Sequence, residues 1–137
     1  MSTSGIGRLA RAIGYPDEIP SGVSTYALKV DDGEIVVAEM DGRLLLQAIL
    51  APCGENDSLL ETLAGYAAGR ILREEAVLAY DPQSDSVMLW QPAPAEADAM
   101  ALREFFERFA ASWDWWRARV QEILSPKPTF PEVMIRP

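Results

Sequence analysis

Between residues 24 and 52 the apolar positions fall into three runs, 25–30, 34–40 and 43–51, separated by Asp31-Asp32-Gly33 and Asp41-Gly42. Asp-Gly pairs favour the positive-φ turns that match strand twist, so the spacing predicts an antiparallel meander with a two-residue hairpin at Asp41-Gly42. The first run alternates, with Tyr26, Leu28 and Val30 on one face and Thr25, Ala27 and Lys29 on the other. The next two runs do not: Ile35, Val36 and Val37 are consecutive, as are Leu44, Leu45 and Leu46. A sheet with one face in water alternates cleanly, so both faces of this one are expected to lose water, one to the chain's own helices and the other to a partner.

Before the meander, Ile6, Leu9, Ala10 and Ile13 form an i, i+3, i+4, i+7 stripe, which predicts a short amphipathic helix over 4–15 ended by Gly14-Tyr15-Pro16. So short a helix is marginal alone, and loose docking on the sheet would leave a groove beside it. Gly5-Ile6-Gly7-Arg8-Leu9-Ala10 matches G-x-G-x-x-A, but neither the preceding strand nor the following βαβ unit of a dinucleotide site is present. After the meander, Ser58 and Glu61 have capping-box spacing, and a second helix is expected to run to about residue 75 with Leu59, Leu60, Leu63, Ala67, Ile71 and Leu72 inward. Ala64-Gly65 and Ala68-Gly69 place small residues four apart. Each glycine costs a helix roughly 1 kcal/mol relative to alanine, so a packing reason is expected, either against the chain's own sheet or against a second subunit.

Residues 76–80 and 86–91 read as two more strands around the polar loop Asp81-Pro82-Gln83-Ser84-Asp85, whose aspartates suit turn chemistry better than calcium. Residues 92–95 read as a stiff proline linker into the longest helix, expected over 96–124 with Leu102, Phe105, Phe109, Trp113, Trp116, Val120 and Ile123 in the core. Phe106 and Trp115 fall off that stripe. Beyond it, 125–137 reads as an extended proline-rich tail holding Phe130, Val133, Met134 and Ile135. One α+β domain over 1–124 is expected, in the order α-β-β-β-α-β-β-α.

Composition narrows the function more than the fold. The chain carries a formal charge of −9, which repels phosphate backbones and anionic membranes. No apolar stretch approaches the roughly 20 residues that span a bilayer, and the N-terminus lacks a secretory-signal pattern. The single Cys53 forms no internal disulfide, which suits a reducing cytosol. There is no histidine, so histidine-based triads, zinc sets and acid–base pairs are excluded. The remaining carboxylates, Asp31, Asp32, Asp41, Glu96 and Asp98, sit in turns and at a helix start, where solvation and capping account for them. The expectation is a binding protein with no cofactor, metal or small-molecule substrate.

The element order in a small acidic chain resembles the class I type III secretion chaperones, the family of the Tir and YopE chaperones. The matching pieces are Leu9…Ile13-Gly14, Asp32-Gly33, Leu44-Leu45-Leu46-Gln47-Ala48-Ile49-Leu50, Leu59-Leu60…Leu63, Leu78-Ala79-Tyr80-Asp81-Pro82, Val87…Leu89 and Phe109…Trp113…Trp116-Arg117. The second helix departs from the family pattern at Gly65-Tyr66-Ala67-Ala68, where Asn is common. The resemblance implies a twisted antiparallel sheet packed by helices, in a homodimer serving a virulence-associated export system from the bacterial cytosol. The N-terminal region of a secreted effector, with the phospholipase ExoU as one cargo, would be kept soluble and export-competent without nucleotide. That segment would enter a groove lined by Ile6, Leu9, Ile13, Tyr26, Leu28, Val36 and Leu45, partly by adding a strand to an edge. The dimer contact would use Gly65, Ala68, Gly69, Val77, Val87 and Leu89. A regulatory scaffold of the same fold acting on a resident protein is the alternative.

Overall fold

The computed structural model describes residues 4–30, 33–54, 57–70 and 75–124. In chain order the elements are α1 (Gly5–Ala12), β1 (Thr25–Val30), β2 (Gly33–Met40), β3 (Arg43–Pro52), α2 (Asp57–Arg70), β4 (Val77–Asp81), β5 (Ser86–Pro94) and α3 (Ala99–Leu124). The expected order is therefore the observed one. The turn at Asp31-Asp32, the second helix beyond residue 70 and the tail 125–137 lie outside the described residues.

Asp41 and Gly42 both take positive φ, 52° and 74°, as a two-residue hairpin requires. The five strands are antiparallel in the order β1-β2-β3-β5-β4, so β1 and β4 are the edges and α2 carries the chain past β5. Register explains the blurred alternation. Leu28 pairs with Ile35, Val37 with Leu46, Ala48 with Leu89 and Leu78 with Leu89, which puts these side chains on one face. That face and the helices hold every large side chain that is fully buried. Val36, Ala38, Leu45, Gln47 and Trp90 lie on the other face and keep partial exposure, while Ile49 and Val77 on it are exposed.

The longest helix starts where Asp98 caps it, its carboxylate accepting from the Ala101 N–H at 2.8 Å, three residues later than expected. Its buried side is Leu102, Phe106, Phe109, Trp113, Trp116 and Val120, at alternating steps of four and three. Phe106 therefore takes the core place expected for Phe105, which stays half-exposed beneath Arg108, 5.0 Å from its ring. At a bulge in β3 the Ile49 carbonyl accepts from Trp113 Nε1 at 3.1 Å, tying α3 to the sheet.

The prolines at 92 and 94 are a correction, because they are strand rather than linker: Pro92 pairs with Leu45 and Pro94 with Arg43. The Ala95 N–H donates to the Gly42 carbonyl, so the odd-numbered residues here point their polar groups at β3 and the two prolines point theirs away. β4 has already ended at Val77, opposite Trp90, so no described strand needs the missing N–H groups. Ser58, expected to open the second helix, lies in its first turn, one residue after Asp57.

Candidate functional site

At the β1 end of the sheet, α1 is docked more firmly than its length suggests. Ser4 caps it, accepting from the Gly7 N–H at 3.0 Å. Gly14, at φ +75°, closes the other end, with the Tyr15 N–H donating to Ala10 O and the Gly14 N–H to Arg11 O, the paired bonds of a Schellman motif. The Arg8 guanidinium donates to the carbonyls of Ala95 and Ala97, and the Ile6 N–H donates to Glu39 Oε1 at 3.3 Å. Ile6 and Leu9 are fully buried in the core. The expected loose docking is thus replaced by a polar clamp around a buried stripe.

Of the residues expected to line one groove, the structure brings only some together. Ile6, Leu9 and Leu28 belong to the core in the free chain, where they support the wall without facing a partner. Ile13 lines an open hollow of about 300 Å³ with Tyr15, Val30, Arg103 and Phe106. Tyr26 stands beside it, its ring 6.4 Å from that of Tyr15 and edge-on. Val36 and Leu45 lie on the opposite face of the sheet, because their strands alternate against Ile35, Val37, Leu44 and Leu46. Leu45 there borders a separate hollow with Met40, Arg43 and Pro92.

At the β4 end the two glycines of α2 are not packed closely on any described residue. A Cβ placed on Gly65 or Gly69 would meet nothing within 4 Å. Ala68 is exposed too, and Val77 is 55% exposed. Close packing on the chain's own sheet therefore does not explain these glycines. Ala64, Ala67, Ala68, Val77, Leu78 and Trp116 border an apolar hollow of about 430 Å³. Val87 and Leu89, expected at the same surface, are instead buried in the core, since they share a face with Ala51 and Ala48.

Among the described residues, electrostatics give no activated group at either end. Burial pushes the Cys53 thiol above its ordinary pKa, and Asp85 adds to the shift, the reverse of what a nucleophile needs. Asp81 spends its carboxylate on its own turn, accepting from the Gln83 N–H and the Ser84 hydroxyl. Among the described residues no three potential ligands converge as a metal site, and no helix is long and apolar enough to cross a membrane. The Arg8 clamp and the place of Tyr15 were not read from the sequence. Gly14-Tyr15-Pro16 after a helix is the available signal, and by itself it predicts only where the helix stops.

Residues 6–117 match the Tir chaperone protein (CesT) family, and the chain belongs to that family. Several solved structures share the fold. A chain of the HopA1–SchA chaperone–effector complex is 17% identical, with a TM-score of 0.64 over 82% of this chain and 89% of that one. A chain of the heterodimeric ExoU–SpcU complex, from the type III secretion system of Pseudomonas aeruginosa, is 22% identical, with a TM-score of 0.61 over 88% and 97%. YbjN, a putative transcription regulator from E. coli, is 12% identical, with a TM-score of 0.63 over 85% and 89%. No curated protein sequence matches the chain.

Proposed function

We propose that this protein is a non-enzymatic type III secretion chaperone of the bacterial cytosol that holds the N-terminal region of a secreted effector soluble and competent for export. The family match over residues 6–117 carries the reading. Its support from the geometry is that apolar surface lies open at both ends of the sheet. An extended effector segment would run along β1, with an apolar side chain entering the hollow between Ile13, Val30 and Phe106. Two copies would meet through α2 and β4, where Gly65, Ala68, Gly69 and Val77 lie open. Residues 1–124 would act as one domain. ExoU is the first cargo to try, because its complex is among the structures of like fold.

Co-expression in a secreting host, followed by capture and identification of the stoichiometric partner, tests this reading. A secreted protein held by its N-terminal region is the expected outcome. Capture of a resident regulator would instead favour a regulatory scaffold, a second reading supported by the likeness to YbjN. Light scattering of the free protein is expected to give about twice 15.1 kDa, and a strict monomer at micromolar concentration would overturn the dimer.

A further inference from the structure

β1 is an edge strand, and its backbone groups sort by direction. The Glu39 N–H donates to the Ser24 carbonyl at 2.8 Å, so Ser24 faces β2. Alternation along the strand turns Tyr26, Leu28 and Val30 the same way and leaves the N–H and C=O groups of Thr25, Ala27 and Lys29 pointing outward. These are the groups that a further antiparallel or parallel strand would pair with. One of the outward donors is already taken: the Lys29 N–H donates to the Tyr15 hydroxyl at 3.1 Å.

Tyr15 is held there by its backbone as well as by this bond. Its own N–H closes the α1 cap on Ala10 O, Gly14 before it takes the left-handed conformation, and its ring rests against Tyr26. Tyr15 also borders two hollows, one with Ile13, Val30 and Phe106 beside this edge, the other with Arg11, Asp17 and Ile19. A tyrosine from a helix cap thus reaches across to a strand edge and satisfies one main-chain donor of that edge.

We propose that the Tyr15 hydroxyl is a stand-in for the partner: it occupies, at the exposed edge of β1, the acceptor position that a carbonyl of an added effector strand takes on binding. The idea rests on the chaperone reading above and adds to it a residue that competes with the cargo. In the free protein the hydroxyl shortens the open edge to Thr25 and Ala27, which guards against pairing between copies of the chain. On capture, the effector strand displaces the hydroxyl and extends the pairing to Lys29. Tyr15 thereby trades affinity for selectivity, since only a segment that gains more than the lost bond pairs along the full edge.

Tyr15→Phe removes the oxygen and keeps the ring against Tyr26. Amide exchange followed by NMR on the free full-length protein is expected to show Lys29 protected beyond Ala27 in the parent and reduced to the level of Ala27 in the variant. The binding probe is the effector segment left after limited proteolysis of the captured complex. Because the variant breaks no bond on capture, it is expected to bind that segment roughly two- to tenfold tighter. Equal exchange of Lys29 and Ala27 in the parent overturns the proposal, as does unchanged or weaker binding by a folded variant. Failure to capture any effector would sink the chaperone reading instead, and the exchange comparison would still decide whether the hydroxyl guards the edge.

Discussion

The two ends of the sheet each pair an edge strand with a helix, yet they are built in opposite ways. At the β1 end, a helix of eight residues buries Gly5, Ile6, Leu9 and Ala10 and is fastened by Ser4, Arg8 and Glu39. At the β4 end, a helix of fourteen residues turns most of its length outward, with Leu59 and Leu63 buried and Leu60, Gly65, Tyr66, Ala68 and Gly69 exposed. Length is therefore a poor guide to anchorage. Around α1 the apolar and polar residues separate sharply, so one face suffices to dock it. Around α2 they do not, and that helix carries small apolar residues on a side the described residues leave uncovered.

The contrast can be broken most directly in the core. Leu9→Ala is expected to cost about 2–5 kcal/mol in urea denaturation, because Leu9 is only 1% exposed and the deletion leaves a cavity. Leu60→Ala, at a side chain 42% exposed on the longer helix, is expected to stay within about 0.5 kcal/mol. Equal costs would mean that the two helices are anchored alike.

Next in size is the polar clamp. Arg8→Ala removes two charge-assisted bonds to the Ala95 and Ala97 carbonyls and is expected to cost about 1–3 kcal/mol by the same measurement. No loss of stability would show that the buried stripe alone holds α1.

The glycine pair sharpens the other end. Gly65→Leu with Gly69→Leu is expected to leave the fold unharmed or stabilise it by about 1 kcal/mol through helix propensity, since no described residue stands in the way. The same variant is expected to run as a monomer in light scattering. A variant that still dimerises would move the subunit contact away from α2.

The smallest effect is spectroscopic. Tyr80 on the β4 edge donates its hydroxyl to Asp85 Oδ1 at 2.6 Å, and this bond, with burial and the Asp85 charge behind it, raises the phenol above its usual pKa of 10.0. Its contribution to stability is therefore present below about pH 10 and lost as the pH rises through the raised value. Asp85→Asn is expected to bring the ultraviolet titration of Tyr80 back toward the ordinary range; an unmoved titration would show that the hydroxyl bond does not govern it.

The sequence carried the element order, the hairpins at Asp41-Gly42 and around 81–85, and the burial of Trp113 and Trp116, because periodicity and turn chemistry are local signals. Face assignment was less legible. Val36 and Leu45 look like Ile35 and Leu44 in a run of apolar residues, and only the strand register sends them to opposite sides. Val87 and Leu89 went inward for the same reason. The anchoring of α1 was invisible because its fasteners, Arg8 to Ala95 and Ala97, and Ile6 to Glu39, span long stretches of chain. Prolines at 92 and 94 misled because a ban on proline in strands applies only where the N–H has a neighbour to serve.

Those two prolines also bear on what happens when many copies of the chain crowd together. Beyond the end of β4, the last stretch of β5 offers carbonyls outward but no amide protons at Pro92 and Pro94. A foreign strand laid there finds acceptors without donors, so its ladder cannot propagate, and cross-β growth has no template along that margin.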